Sequence, residues 1–256
     1  MPMLQDKMTM FIPELPGYGF SSLPPKPDKR TVGNLIIEAL QSTFGKDRPV
    51  IWCGHDRGAR VGHRLLVDNN PAHKIQAALL LDIVPTTEQW RSFSNPAAAV
   101  AYYHWSFLAT PFAPQLIEAM GGSTYIENNF SRVKGSNPEG AKKFQENDAV
   151  GHYCHQFSMP EAIAGSCADY ASAAGEEVTE QVKDQEEGRK VKVPTMVIYS
   201  ASNLGKMHDV DGIWPQWVDA QLECVGIPDG YGHFLPEECP EIVAKLISEW
   251  VAKDNP

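Results

Sequence analysis

A short motif places one acidic side chain between two glycines. Gly54-His55-Asp56-Arg57-Gly58 follows an apolar run and precedes a helix-like pattern. This order predicts a strand, a sharp turn and a helix, with the Asp56 carboxylate on a strained turn at the strand tip. Such a turn favours small residues two positions before and after it, and glycine stands at both. The alternative is that Asp56 caps the following helix.

A carboxylate in this position indicates a particular kind of chemistry. A carboxylate nucleophile displaces a leaving group from saturated carbon and becomes an ester. Water then cleaves that ester at the aspartate carbonyl carbon, and a neighbouring base must accept a proton from the water. This chemistry requires a histidine and a second carboxylate close to Asp56.

Segments that follow later strands supply a base and an acid. His233 lies on a glycine-containing loop after the last predicted strand and just before a helix, and Asp82 ends the predicted strand after the Asp56 turn. Because the carboxyl ends of parallel strands meet at one edge of a sheet, we expect Asp56, His233 and Asp82 to converge. His233 would activate water, and Asp82 would orient the imidazole. Asp209 and Asp211 are rival acids, since they also follow a predicted strand.

Short apolar runs without alternation predict the strands that carry these residues. Runs rich in Val, Ile and Leu suit a parallel sheet that is covered on both faces. Helix-like stretches, including residues 31–43, 58–68 and 240–252, separate the runs. We therefore predict an α/β fold with a mostly parallel sheet. The predicted strands comprise residues 8–12, 49–53, 77–84, 195–200 and 222–227.

Residues 85–190 interrupt this alternation of strands and helices. The stretch has no clear strand pattern, is rich in Ala, aromatic and helix-forming residues, and is punctuated by Gly, Pro and Asn. We predict that it forms a helical cap inserted between the third and fourth predicted strands. The α/β core would then comprise residues 1–84 and 191–256.

The composition limits the classes of function. The chain has 22 basic and 32 acidic residues, a net charge of −10, and no basic tract, so we expect no nucleic-acid partner. It lacks a signal-like start and any apolar run of about 18 residues, so we expect no membrane association. Five scattered cysteines without a CxxC pair predict free thiols and a cytoplasmic location. We expect no cofactor and no metal.

Several segments in collinear order resemble one enzyme family. Together they are similar to the fluoroacetate (haloacetate) dehalogenases of the α/β-hydrolase superfamily, over nearly the whole chain. The resemblance implies an α/β-hydrolase fold with a helical cap, a small-molecule substrate and a homodimer formed through the cap. The matching segments are Gly54-His55-Asp56-Arg57-Gly58-Ala59-Arg60, Leu81-Asp82-Ile83-Val84-Pro85-Thr86, Tyr103-His104-Trp105, Cys167-Ala168-Asp169-Tyr170 and Gly232-His233-Phe234.

The resemblance also implies roles for individual residues. In that family the acid follows the strand after the nucleophile, which favours Asp82 over its rivals. Arg57 and Arg60 match the pair that grips the substrate carboxylate, a task that suits the fork of a guanidinium group. The residues that match the halide site are all N–H or O–H donors. They are His104, Trp105 and Tyr170.

Other interpretations of these residues stay open. Arg60 could form a salt bridge with an acidic residue of the cap. His104 and Trp105 could be ordinary packing residues of an amphipathic helix. Tyr153 also lies in the cap and is an alternative to Tyr170.

The start of the chain departs from the family pattern. In the family, two strands and a third strand with a His-Gly-x-Pro turn precede the loop that matches residues 14–21, whereas residues 1–7 alone precede the first predicted strand here. We therefore expect altered strand pairing and the loss of one of two oxyanion-hole N–H groups, with the Arg57 N–H as the other. Displacement at saturated carbon needs no oxyanion hole, but ester hydrolysis would slow by roughly 10²–10³.

Three hypotheses about function follow. The first is a haloacetate dehalogenase that uses Asp56, His233 and Asp82. The second is an epoxide hydrolase, which needs two cap tyrosines to protonate the epoxide oxygen; the pair of arginines favours an acid substrate instead. The third is a catalytically impaired relative. The tyrosines available for the second hypothesis are Tyr102, Tyr103, Tyr125, Tyr153 and Tyr170.

Overall fold

The computed structural model of the protein describes residues 2–253. In this part of the chain four strands form one sheet in the order β1-β2-β3-β4, and every neighbouring pair is parallel. The sheet therefore has the parallel arrangement that the sequence predicts. The strands are β1 Val50–His55, β2 Ile75–Leu81, β3 Thr195–Ser200 and β4 Leu222–Ile227.

The alternation of side chains along β2 explains why its sequence is continuously apolar from Ala77 to Leu81. Ala78 and Leu80 belong to the apolar cluster on one face of the sheet. Ala77, Leu79 and Leu81 belong to the cluster on the other face. Because successive side chains point to opposite faces and both faces are covered, every position from Ala77 to Leu81 favours an apolar residue.

Helices cover both faces of the sheet and fill most of the remaining chain. Short 3₁₀ helices at residues 71–73, 92–94, 146–148 and 214–216 join some of them. The α-helices are α1 Lys29–Phe44, α2 Arg57–Asp68, α3 Thr86–Arg91, α4 Pro96–Ala101, α5 Tyr103–Leu108, α6 Ala113–Met120, α7 Gly122–Val133, α8 Pro138–Lys143, α9 Ala149–Gln156, α10 Pro160–Ala174, α11 Glu176–Glu186, α12 Leu204–Met207, α13 Val210–Ile213, α14 Leu235–Glu238 and α15 Pro240–Ala252.

Two helices on one face and one on the other complete the core. Val32 and Ile36 of α1 and Leu65 of α2 pack in the cluster that contains Leu80. On the opposite face α15 contributes Val243, Ile247 and Trp250 to the cluster that contains Leu79. The apolar residues of α1 and α15 recur at helical spacing, so each helix presents one apolar face to the sheet.

The predicted strand at residues 8–12 is wrong. The described chain has no strand there, and β1 pairs with β2 alone. Met8 and Met10 are instead partly buried against one core cluster and Phe11 against the other. The apolar pattern reports burial correctly, but a strand also needs a neighbouring backbone for its hydrogen bonds, and this segment is not paired with one.

Helices α3 to α11 follow β2 and precede β3. Within the described residues this stretch contains no strand, and part of it surrounds an apolar cluster of its own. We propose that it forms the predicted cap, with boundaries near residues 85 and 190. The buried members of the cluster are Trp105, Leu108, Ala113, Ile117, Tyr125, Ile163, Cys167, Tyr170 and Ala173.

A membrane-spanning helix is absent from the described residues. Between residues 2 and 253 no helix combines the length and the apolar character needed to cross a bilayer.

Candidate active site

The turn between β1 and α2 holds Asp56 in an unusual backbone conformation. Its φ is 44° and its ψ is −111°, a region that non-glycine residues rarely adopt. In the described chain its carboxylate makes no capping hydrogen bond to α2, which removes the helix-cap interpretation. The carboxylate is instead available for chemistry.

The two glycines that flank the turn have different importance. A Cβ on Gly54 would lie 2.4 Å from the backbone carbon of Gly58, so Gly54 permits the close approach of strand and helix. A Cβ on Gly58 would meet nothing within 4 Å among the described residues. The prediction that both positions must be small is therefore wrong for Gly58, because the crowding arises at its backbone rather than at its side-chain position.

The structure brings Asp56, His233 and Asp82 together. His233 Nδ1 lies 2.7 Å from Asp82 Oδ2, and its Nε2 lies 3.8 Å from Asp56 Oδ2. Because the Asp82 carboxylate accepts a hydrogen bond, the Nδ1 atom carries the proton and Nε2 faces Asp56. Asp82 Oδ1 also accepts hydrogen bonds from the backbone N–H and the hydroxyl of Ser200, each at 2.7 Å, which fix the carboxylate at the end of β3.

The rival acids have other partners. Asp209 accepts a hydrogen bond from the Gly212 N–H at 3.1 Å and caps α13. Asp211 accepts a hydrogen bond from the Tyr199 hydroxyl at 3.0 Å. The acid that contacts His233 is therefore Asp82.

The charges of Asp56 and His233 depend on one another. Burial acts to lower the pKa of His233, but hydrogen bonding and attraction to Asp56 and Asp82 outweigh it and raise the pKa to about 10. Burial acts to raise the pKa of Asp56, but His233, Arg57 and Arg60 hold it well below its usual range. In this state Asp56 is an ionised carboxylate beside an imidazolium. Neutralising Asp56 would remove one of the two carboxylates that raise the His233 pKa.

This pKa shift predicts how stability depends on pH. A group whose pKa is raised on folding contributes stability that is complete below its unfolded pKa, near 6.5, and is lost as the pH rises through about 10. We therefore expect wild-type protein to melt at a higher temperature than His233→Gln near pH 6, and the difference to narrow toward pH 10. Thermal denaturation of both proteins across this range measures it. A constant or widening difference would contradict the charge assignment.

Arg57 and Arg60 lie buried beside Asp56. Their exposed fractions are 6% and 4%. Arg60 Nη1 donates a hydrogen bond to the Val84 carbonyl at 2.9 Å, and its Nε lies 3.9 Å from Asp56 Oδ1. Arg57 Nε donates to Asp169 of α10, in the predicted cap. The interpretation that a cap acid pairs with an arginine thus holds for Arg57 rather than for Arg60.

Several N–H groups of these two arginines have no hydrogen-bond partner among residues 2–253. They are both Nη atoms of Arg57 and the Nε of Arg60. Burial and the neighbouring Arg57 lower the pKa of Arg60 to about 10, because two cations lie close together in a dry setting. Unpaired buried donors are costly, so this arrangement favours an anionic ligand that accepts from both side chains.

The three predicted halide-site residues lie around the same arginines. The Arg57 guanidinium carbon lies 4.1 Å from the Tyr170 ring centroid, and that of Arg60 lies 4.5 Å from the Trp105 ring centroid. His104 contacts the Tyr170 ring edge-on at 5.8 Å. Trp105 and Tyr170 are also buried members of the apolar cluster within α3 to α11, so Trp105 packs as the alternative interpretation expects.

The protonation of His104 follows from its neighbours. Burial, assisted by the charge of Arg132, lowers the pKa of His104 to about 3, so the ring is neutral. Arg132 Nη2 lies 2.9 Å from His104 Nδ1. Because a guanidinium can only donate, Nδ1 accepts and Nε2 carries the proton. His104 is therefore a neutral N–H donor.

One cavity of about 290 Å³ connects these groups. Its walls come from the core and from the predicted cap. A volume near 300 Å³ is typical of the smaller ligand-binding pockets of proteins. The predicted site residues that line it are Asp56, Arg57, Arg60, Asp82, His104, Trp105, Tyr170 and His233.

Sequence reasoning missed two residues that contact the site. His55, to which the sequence analysis assigns no role, places its Nε2 2.8 Å from the His233 carbonyl oxygen, and the two rings lie 4.7 Å apart. Asp169 holds Arg57, as described above. Both residues stand inside the quoted motifs, beside Asp56 and Tyr170, and that adjacency was the available signal.

Known proteins resemble this chain over most of its length. A scan against protein-family models found no match. The chain is 29% identical over 259 residues to fluoroacetate dehalogenase of Burkholderia sp, covering 98% of this chain and 81% of that protein. It is 26% identical to soluble epoxide hydrolase of Corynebacterium sp. (strain C12), covering 94% and 80%. A solved structure from Nostoc sp PCC 7120, described as an alpha/beta hydrolase, is 30% identical with a TM-score of 0.80, covering 93% and 79%.

These similarities and the parallel sheet establish the class, and the chain belongs to the α/β hydrolases. Within that class its sequence is similar to fluoroacetate dehalogenase, which confirms the resemblance that the motifs indicate. The epoxide hydrolase similarity is of the same order, so the comparisons support a hydrolase and leave its substrate open.

Proposed function

We propose that the protein is a dehalogenase that uses Asp56 to displace halide from a small haloacid such as haloacetate. The observation that carries the proposal is the pair of buried arginines beside Asp56, whose unpaired N–H groups suit a carboxylate. An uncharged substrate would leave these donors unpaired. An acid substrate would satisfy them and place its α-carbon next to the nucleophile.

The first half-reaction forms an ester. Arg57 and Arg60 hold the substrate carboxylate, and an Asp56 oxygen attacks the carbon that bears the halogen. A carbon–oxygen bond forms as the carbon–halogen bond breaks, and the halide leaves with the bonding electron pair. The departing anion accepts hydrogen bonds from His104, Trp105 and Tyr170.

The second half-reaction returns the enzyme to its starting state. Water adds to the Asp56 carbonyl carbon while His233 Nε2 accepts its proton and Asp82 stabilises the imidazolium. The backbone N–H of Arg57 stands in the first turn of α2, where it lacks an intrahelical partner, and it stabilises the oxyanion. As the intermediate collapses, the bond between the Asp56 carbonyl carbon and the substrate oxygen breaks, and His233 returns the proton to that oxygen, so the hydroxy acid leaves. The proton left on the Asp56 carboxyl group then passes to His233, which restores the Asp56 carboxylate and the imidazolium.

Arg57 and Arg60 together form the proposed clamp for the substrate carboxylate. Removing one of the two guanidinium groups tests this role. Arg60→Met keeps similar volume and removes the charge-assisted hydrogen bonds, which are worth about 1.5–3 kcal/mol each. We expect kcat/KM for chloroacetate to fall by roughly 10–100-fold, with most of the change in KM. Steady-state halide release measures this. Arg91→Met, which removes an exposed arginine that pairs with Glu88, is the matched control. A KM for Arg60→Met within twofold of wild type would contradict a clamp.

An epoxide substrate is the second candidate. Tyr102 and Tyr125 line the cavity, and neither hydroxyl has a hydrogen-bond partner among the described residues. Burial raises the pKa of each well above its usual value, so both remain protonated donors. Such donors suit the oxygen of an epoxide, whereas the arginines favour the haloacid.

Parallel assays distinguish the candidates. Halide release from fluoroacetate and chloroacetate is measured beside diol formation from an aryl epoxide, with the same wild-type preparation. The haloacid proposal predicts a higher kcat/KM for a haloacetate. Preferential diol formation would contradict the haloacid proposal and support an epoxide hydrolase. Absence of both activities would favour the catalytically impaired relative.

A further inference from the structure

A buried cluster of charges lies directly behind the candidate clamp. Lys29 of α1 and Glu177 of α11 are 2% and 4% exposed, and Asp169 of α10 is 5% exposed. Lys29 Nζ donates to Asp169 and, at 3.2 Å, to Glu177 Oε1. Arg57 joins the cluster through its Nε, and Tyr18 donates its hydroxyl to Asp169 Oδ2 at 2.7 Å.

The charges in this cluster balance. Two carboxylates, Asp169 and Glu177, face two cations, Lys29 and Arg57. Burial acts to raise the pKa of Asp169, but Arg57 and Lys29 outweigh it and keep the carboxyl ionised. A buried carboxylate with donors on both oxygens is held in one orientation, since any rotation would leave charges unpaired.

The contact with Asp169 decides which part of Arg57 is available to a ligand. Asp169 Oδ2 accepts the hydrogen bond of Arg57 Nε, whereas Nη1 and Nη2 of Arg57 have no hydrogen-bond partner among the described residues. The ring of Tyr170, the next residue on α10, lies against the same guanidinium at 4.1 Å. One turn of α10 therefore fixes both the hydrogen bonding and the plane of the Arg57 fork.

We propose that Asp169 is a positioning residue that orients Arg57, and through it the carboxylate of the substrate. The proposal rests on the haloacid function proposed above and deepens it, because it places part of the preference for acids outside the cavity wall. Asp169 acts through Arg57, and the proposal gives it no contact with the substrate.

A second substitution in the same cluster distinguishes the effect of Arg57 orientation on ligand affinity from effects of protein stability and net charge. Asp169→Asn and Glu177→Gln each remove one buried negative charge. Glu177 contacts Lys29 and the Ser172 hydroxyl, and it makes no hydrogen bond to Arg57. Loss of a negative charge alone favours an anionic ligand, so a weaker affinity in Asp169→Asn would report the lost orientation of Arg57.

We expect KM for chloroacetate to rise about 10-fold or more in Asp169→Asn, because a charged hydrogen bond that fixes the fork is lost. KM of Glu177→Gln should stay within about twofold of wild type, because Glu177 makes no hydrogen bond to Arg57. Isothermal titration with acetate should show the same pattern in dissociation constant. Equal KM values in Asp169→Asn and wild type, or equal increases in both variants, would overturn the proposal.

A second variant keeps the test decisive if Asp169→Asn does not fold. Asp169→Glu retains every charge in the cluster but moves the carboxylate by one methylene, and we expect it to raise KM as well. Unchanged KM in Asp169→Glu would overturn the proposal. Failure of the function itself gives a different result: wild-type protein would then release no halide and bind no acetate, whereas failure of the positioning role leaves both intact in wild type and in Asp169→Asn.

Discussion

Asp56→Asn is expected to abolish halide release from chloroacetate, with a loss of roughly 10⁴-fold or more in kcat. The amide is a poor nucleophile, and the described site has no second carboxylate in its position, because Asp82 is 2% exposed and committed to His233 and Ser200. The two arginines are unchanged, so acetate binding should persist. Halide release and acetate titration on the same protein measure the two effects.

A matched substitution tests whether the loss is specific to this turn. Asp47 has a side chain that is 99% exposed. Asp47→Asn removes the same charge at the surface, and we expect wild-type kcat. Substantial halide release by Asp56→Asn would require a different nucleophile, such as water activated directly by His233.

His233→Asn is expected to separate the two half-reactions. Displacement uses Asp56 as the nucleophile and needs no base, so the variant should release about one halide ion per chain in a first burst. Hydrolysis of the ester needs a base, so later turnover should fall by about 10²–10⁴-fold. Rapid-mixing measurement of halide against time gives both the amplitude and the slow phase.

The control for this prediction is an exposed histidine of the cap. His155 is exposed, and His155→Asn should retain continuous turnover. If His233→Asn lost the burst and the steady rate together, His233 would be needed for displacement. The proposal that His233 acts only in ester hydrolysis would then be wrong. If it kept full turnover, another group would be the base.

Local patterns predicted those parts of the fold that depend on burial. Strands β3 and β4 were located to the residue, because continuous apolar runs between turn residues have few alternative placements. The strained turn at Asp56 was predicted from glycine spacing, although only Gly54 faces the crowding that the prediction assumed. Residues 8–12 were wrongly predicted as a strand, because an apolar pattern of side chains carries no information about whether another backbone segment lies beside them.

The candidate site depended on contacts between distant parts of the chain. Three acidic residues followed predicted strands, and the preference for Asp82 came from the family resemblance rather than from the local pattern. In the structure the distance to His233 distinguishes it from Asp209 and Asp211. Asp169 and Lys29 are 140 residues apart in sequence, so no periodicity or spacing could predict their pairing.

The most direct test of Asp56 as the nucleophile is to locate the trapped ester. His233→Asn is treated with chloroacetate, digested and mapped by peptide mass spectrometry. Because the protein has five free cysteines that chloroacetate also alkylates, the double variant Asp56→Asn/His233→Asn is the control. We expect a carboxymethyl group on Asp56 in the single variant and none at that position in the double variant. A peptide in which Asp56 is unmodified after the halide burst would contradict it.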